Sequence, residues 1–321
     1  MLLKNSEYRS YPAINFSSIA RLEISPKVYN EQAESSEERE AFIFGGLVDC
    51  LLTTPEKFDD DYGVPILSPP TGQMGIFIGY LLKENITENN KKEVLKAAYD
   101  YAGFKRDSLT TVLDRFKEYA GYYEEAVKLK GKIIVSFETY TKAAKIAQEI
   151  KEAYPEFFNP KEGVEVLWQT PVLFRFLGRE FKALVDLLYI DHNKKIVKPI
   201  DIKTTGKSIY QFKMSFFQYR YYIQAAIYFR AVKEYIRKDR ELKGYKIHGF
   251  RFLVAEKESF NKPMMFDVSC WLKTITFGGE YGGTKFKGLT GLLNTLKWHE
   301  EHNLWDYPKE AYQEGGVELK L

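Results

Sequence analysis

Asp186, Asp201 and Lys203 stand within VDLLYIDHNKKIVKPIDIKTTGKS, residues 185–208, and their types and spacing could do chemistry. Two apolar, strand-like runs flank the polar segment 192–195, and each run carries an aspartate where a core residue would cost less. In a strand, residues i and i+2 point to the same face. Asp201 and Lys203 therefore project together, and Ile202 points into the opposite, apolar layer. With 192–195 as a four-residue hairpin loop, Asp191 pairs with Ile196, and the same register sets Asp186 opposite Asp201. Cross-strand partners lie roughly 4.5–5.5 Å apart at Cβ. Carboxylates that close repel, so one tends to keep its proton unless a divalent cation removes the penalty. Oxygen-rich sites of this kind suit Mg²⁺ or Mn²⁺. A metal so held can bind a phosphate oxygen, acidify a water and support in-line attack, with Lys203 orienting that water or neutralising developing charge. The chemistry indicated is phosphodiester hydrolysis. An isolated Asp-x-Lys on a strand is more often a surface ion pair worth little; the upstream Asp186, in register, is what sets this one apart.

The elements that must position these residues follow from periodicity and breakers. From about residue 163 the chain alternates and is rich in Val, Leu and Phe, with a turn at Leu177-Gly178-Arg179, which predicts consecutive strands. Residues 196–205 and 247–258 are further strands. Between them, 215–242 is expected as one long helix. Before the strands, the stretch 14–30 predicts a short helix with Ser17 or Ser18 as N-cap and Ser25-Pro26 ending it. A further helix ends at Thr54-Pro55, and the prolines and glycines of 59–80 predict loop. Residues 83–128 and 136–157 are expected to be helical, as is the segment before Trp305. The fold class expected is α/β (α+β): one domain over 1–321, with a helical N-terminal part (about 1–160) and a catalytic core (about 161–321).

Composition narrows the function classes. The 321 residues supply ample core, and a net charge of +3 announces no overall basic field for a polyanion. Two cysteines, Cys50 and Cys270, are too few for a disulfide framework or a four-cysteine metal site. No run approaches the ~20 apolar residues of a membrane span, and no signal core opens the chain, so a cytoplasmic protein is expected. The 23 Tyr and 23 Phe fit a large mixed core, and they also fit a surface that stacks on bases.

Several ordered blocks resemble the PD-(D/E)xK nuclease superfamily, in particular its RecB-type branch and the phage exonucleases similar to exonuclease VIII (RecE). FSSIARLEISPKVY is similar to the opening Ser-Ser and Ser-Pro-x-x-Tyr block, and GGLVDCLLTTPEKFDDDY to the Gly-x-x-x-His helix with its Pro-x-x-Phe ending. KALVDLLYI and PIDIKTT match the metal-binding aspartate and the Asp-x-Lys-Thr-Thr strand. YIQAAIYF matches the Tyr-x-Gln-x-x-x-Tyr helix, while FLVAEKE and LWDYPKE match the closing strand and a C-terminal segment. The blocks are individually weak and gain specificity from their order. The resemblance implies a restriction-endonuclease-like core, a central mixed sheet flanked by helices. It implies a Mg²⁺-dependent deoxyribonuclease (Mn²⁺ as an alternative metal), a 5′→3′ exonuclease on linear double-stranded DNA that leaves single strands for an annealing recombinase. It also implies a bacterial or phage-infected cytoplasm and, by analogy with relatives, a homo-oligomeric ring. No iron–sulfur cluster is expected, for want of four cysteines.

Carried over by residue, Asp186, Asp201 and the Ile202 carbonyl are metal ligands and Lys203 is the catalytic lysine. Gln224 and Tyr228, one helical turn apart, position DNA or brace the ligands, with Thr204, Tyr222 and Arg220 as further candidates. Gln218 and Tyr222 form a second pair of the same spacing. The family's helical histidine is Asp49 here, a candidate ligand or an ion-paired acid; Glu165 is a weaker acidic candidate. Arg230, Lys233, Arg237 and Lys238 read as a solvated helix face. His299 and His302 have metal-binding spacing but no third partner, which favours a surface pair. Two other readings remain: a structure-specific or single-strand endonuclease of the same fold, and a catalytically silent DNA-binding recombination scaffold.

Overall fold

The hairpin that carries both aspartates forms as the spacing requires. In the computed structural model, which describes residues 5–31, 36–84, 86–258 and 260–316, strands β1 (Val164–Phe176), β2 (Arg179–Asp191) and β3 (Ile196–Thr205) are consecutive and antiparallel. A two-residue turn joins β1 to β2, with positive φ at both Leu177 (49°) and Gly178 (77°). That mirror-image turn matches the right-handed twist of paired strands, and Gly178 adopts it without a Cβ penalty. In the 192–195 loop the Asp191 carboxylate accepts the Lys194 N–H at 2.9 Å, closing the turn with a side chain. That hydrogen bond, first among its causes, holds the Asp191 carboxyl below the usual range.

Strands β4 (Lys246–Ile247), β5 (Arg251–Glu256) and β6 (Met264–Asp267) complete the sheet, in the order β1-β2-β3-β5-β6 with β4 beside β3. β3 and β5 are parallel and β5 and β6 antiparallel, so the sheet is mixed. A parallel pair needs a crossover. The helix Tyr221–Lys238 supplies it and buries Ile223, Ala225, Ala226, Ile227, Ala231 and Val232 in the core. The fold is mixed α/β, a central mixed sheet flanked by helices.

Local differences from expectation have physical causes. The helix expected over 215–242 is two, Phe212–Gln218 and Tyr221–Lys238, broken at Arg220, which is left-handed (φ 57°). The break lets Phe212, Phe216 and Tyr221 all reach Phe252, with ring centroids 5.6, 6.0 and 5.8 Å away. The first long helix, Phe16–Ile24, is capped by Asn15, whose side chain accepts the Ser18 N–H at 2.9 Å, rather than by Ser17 or Ser18. Pro26 does not simply stop the chain there; it opens the next helix, Pro26–Glu31. The loop expected over 59–80 contains the helix Gly72–Lys83, because Met74, Phe77, Ile78 and Leu81 form one apolar stripe. The acidic segment 31–40 falls partly, at 32–35, outside the described residues.

The chain divides into two units, Met1–Gly45 with Lys145–Leu321, and Gly46–Ala144. The second unit packs Phe77, Ile78, Leu81, Ala98 and Val112 among its helices. The residues up to Gly45 and from Lys145 onward group with the sheet. Ile14 bridges to Phe181, Phe157 packs edge-on against Tyr189 at 6.0 Å, and the Tyr154 hydroxyl donates to the Pro263 carbonyl at 3.3 Å. Lys182, only 6% exposed, donates to the carbonyls of Tyr8, Arg9 and Tyr11 at 2.9, 3.1 and 2.8 Å. Among the described residues, no helix is long and apolar enough to cross a membrane.

The Lys182 clamp gives a first prediction. Lys182→Met strands three carbonyls and should lower unfolding free energy by ~2–4 kcal/mol. Limited proteolysis should then cut within residues 5–14 before the core. A variant as stable as wild type, with that segment still protected, would contradict the clamp.

Candidate metal centre

The site lies where β2 and β3 part. Their ladder runs from Asp191 opposite Ile196 to Leu187 opposite Ile200 and stops one pair short of Asp186 and Asp201. β3 nevertheless stays paired with β5 through Asp201–Phe252 to Thr205–Glu256. At the fork a side chain replaces the backbone acceptor: the Ile202 N–H donates to Asp186 Oδ2 at 2.8 Å. Asp186 Oδ1 receives Gln169 Nε2 at 3.3 Å. Asp201 is fully buried; its Oδ1 accepts Gln224 Nε2 at 2.6 Å, and its Oδ2 forms an ion pair with Lys203.

The electrostatics follow from this burial. Desolvation pushes Asp201 up to about 7; Lys203 opposes the rise and Asp186 adds to it. Burial likewise raises Asp186, against the pull of Lys203 and the Ile202 N–H. Each carboxyl alters the ionisation of the other, so the pair titrates together and favours a single proton between them. Burial works against the Lys203 ammonium, but Asp201 and Asp186 outweigh it and hold its pKa above the ordinary lysine value. Its Nζ lies 5.1 Å from the Tyr221 ring centre and 5.9 Å from that of Phe252, a partly aromatic seat that keeps the ammonium aimed at the pair.

The remaining candidates separate by position. Gln224 is buried and joined to Asp201, and Tyr228, one turn on, is buried with its hydroxyl pushed well up by burial and then by Asp201. The competing pair is engaged elsewhere: Gln218 Oε1 accepts Lys207 Nζ at 2.7 Å, and Tyr222 donates its hydroxyl to Glu23. Arg220 also faces Glu23, at 3.6 Å. Thr204 sits opposite Ala255 in the sheet.

Glu165 is not brought to the pair. It faces Ile190, four residues along β2 from Asp186 or roughly 13 Å at strand rise, and its carboxylate lies 3.5 Å from His192. Asp49 lies in the second unit, on the helix Ser36–Thr53, its carbonyl accepting the Thr53 hydroxyl at 2.8 Å. His299 and His302 each direct Nδ1 at a backbone carbonyl, of Leu304 and Trp298 respectively. On the long helix, Arg237 and Lys238 pair with Glu234, and Arg230 stacks on Phe176 at 3.8 Å.

Two neighbours escaped the sequence reading. Gln169, left-handed at φ 46°, is directly opposite Asp186 in the β1–β2 register, and counting back from the Leu177-Gly178 turn would have found it. Tyr8 comes from far away in sequence; burial first and then Asp186 push its hydroxyl up to about 12.

The donor set fits a hard divalent cation. Asp201 Oδ2 is buried against the Lys203 ammonium, and the two carboxyls otherwise keep a proton between them. Among the described residues no three His, Cys, Asp or Glu side chains gather as a metal cluster. Asp186, Asp201 and the Ile202 carbonyl would thus leave most of an octahedral shell to water or phosphate, as Mg²⁺ prefers.

No protein-family model and no curated protein matches this chain. Among solved structures it is similar to the crystal structure of a "putative exonuclease" from Eubacterium rectale, at 13% identity and a TM-score of 0.46, covering 100% of this chain and 96% of that one.

The shared proton would make cation binding at this pair pH-dependent. A carboxyl raised to about 7 keeps its proton below that pH, and the cation must displace it. Mn²⁺ affinity by calorimetry should weaken by up to ~tenfold per pH unit between ~7 and ~5.5, and level off above ~7.5. A pH-independent affinity would contradict the shared-proton pair.

Proposed function

We propose that this protein is a Mg²⁺-dependent deoxyribonuclease that hydrolyses DNA phosphodiester bonds, acting 5′→3′ as an exonuclease on linear duplex DNA. The observation that carries the hydrolase reading is the meeting of Asp186, Asp201 and Lys203 where β2 and β3 separate. Polarity, duplex preference and an annealing partner come from the family resemblance of the ordered sequence blocks, as does assembly into a ring.

In this reading Asp186, Asp201 and the Ile202 carbonyl hold the cation. When bound, a Mg²⁺ or Mn²⁺ ion supplies a polarised phosphoryl oxygen and a water acidified for attack. The chain's own residues do the positioning. Gln169 and the Ile202 N–H hold the two oxygens of Asp186, and Gln224 fixes Asp201 from the helix. Lys203 stays protonated between the two acids, so it orients the attacking water or offsets charge on the phosphate rather than abstracting a proton. Gln224 and Tyr228, both buried, are braces for the ligands.

Asp201→Asn and Lys203→Ala should each reduce Mg²⁺-dependent digestion of linear duplex by at least ~10³-fold, with the thermal transition retained. Wild-type-like digestion by either variant would sink the site assignment. With 5′- and 3′-labelled duplex, mononucleotide release should begin at the 5′ end. Cutting of covalently closed circles as fast as linear DNA would instead make the protein an endonuclease.

A further inference from the structure

β3 and β5 run parallel and end together, at Thr205 and Glu256, so the loops that follow leave the same edge of the sheet. In open α/β sheets that edge is where ligands bind. Glu256, 3% exposed, ties the two loops to one point. Its Oε1 accepts the Ile209 N–H at 2.6 Å and Asn261 Nδ2 at 2.8 Å; its Oε2 accepts the Asn261 N–H at 3.1 Å. Burial pushes this carboxyl up, and the N–H donors more than reverse the effect, keeping the anchor ionised.

Next to each anchored position is an aromatic ring turned to solvent: Tyr210, 74% exposed, and Phe260, 85% exposed. Scattered exposed rings are ordinary, but these two stand on loops that share a buried anchor. Further along the same segment Tyr219 is 50% exposed and packs on Tyr221 at 5.7 Å, the ring that lies 5.1 Å from Lys203 Nζ. Tyr219 and Tyr221 thus lead from the surface to the candidate site. The two exposed segments are basic in sequence: residues 206–219 and 257–262 carry Lys207, Lys213, Lys257 and Lys262 against Glu258, beyond the buried anchor Glu256.

Exposed rings amid cations match a polyanion with free π-faces. In a duplex those faces are stacked on one another; only an unpaired strand offers them. We infer that Tyr210, Phe260 and Tyr219 form a base-stacking platform for an unpaired DNA strand adjoining the carboxylate pair. The inference rests on the nuclease reading for its biological sense, but it is a statement about binding and is testable without catalysis.

The test uses fluorescence anisotropy of the full chain in EDTA with three labelled probes. These are oligo(dT), a strand of the same length with abasic sites in place of the bases, and a blunt duplex. Wild type should bind oligo(dT) at least ~5-fold more tightly than the abasic strand, the lower limit for one lost stack. Tyr210→Ala/Phe260→Ala should lose that preference while changing duplex affinity less than ~2-fold. Equal binding of both single strands by wild type, no binding of either, or a preference retained by the double variant would each overturn the platform. The wild-type comparison of dT with abasic strand does not depend on any variant folding. Because the assay is metal-free, the platform can fail while Asp201-dependent digestion persists. Absence of Asp201-dependent digestion by the wild-type protein, with stacking intact, would sink the nuclease reading alone.

Discussion

Two carboxyls set against each other, Asp201 fully buried and Asp186 half-buried, with the half-buried Lys203 ammonium to offset them, are the constraint around which the sheet of this protein is arranged. Like charges brought together in a low-dielectric setting cannot both ionise freely. The chain meets this in three ways: a shared proton, the Lys203 ammonium, and hydrogen bonds from Gln169, Gln224 and the Ile202 N–H. Such an arrangement is poor for stability, since apolar replacements of similar volume commonly match or exceed it. Its persistence in the middle of a well-packed sheet is intelligible if something else sits between the carboxyls in the working protein.

The sheet is built to hold that point open. β3 leaves β2 one residue before the pair would close, yet remains pinned to β5, so the fork is rigid on one side. The helix break at Arg220 turns the following helix so that Gln224 reaches Asp201 from above, and it leaves Tyr221 beside Lys203. The aromatic packing of Phe212, Phe216 and Tyr221 on Phe252 fixes the break and braces β5 at the same time. Ligand geometry and core packing are therefore one structure, not a site added to a scaffold.

Much of the pair was legible in the sequence, because the side-chain period of a strand is two and a four-residue loop fixes the register; Asp186, Asp201 and Lys203 follow by counting. Gln224 came from the resemblance of YIQAAIYF to a Tyr-x-Gln-x-x-x-Tyr helix, but the rival Gln218 could be set aside only once the break at Arg220 was seen, and a left-handed arginine has no strong local signal. Gln169 was hidden for a similar reason, as a polar residue at a left-handed position inside an apolar strand. The partnership of residues 5–31 with β2 rests on contacts made by Lys182 and Phe181 across more than 150 positions, which no local pattern encodes. Glu165 stayed a weak candidate because strand alternation places a residue on a face and says nothing of its distance along the strand.

The central claim is that the fork between β2 and β3 is a cation site. The most direct measurement is anomalous scattering from crystals grown with Mn²⁺. The account predicts an anomalous peak bridging the carboxylates of Asp186 and Asp201, with the Ile202 carbonyl in its shell and Lys203 Nζ displaced from Asp201 Oδ2. Mn²⁺ bound elsewhere in the crystal, with the Lys203–Asp201 ion pair unbroken and no density at the fork, would contradict it.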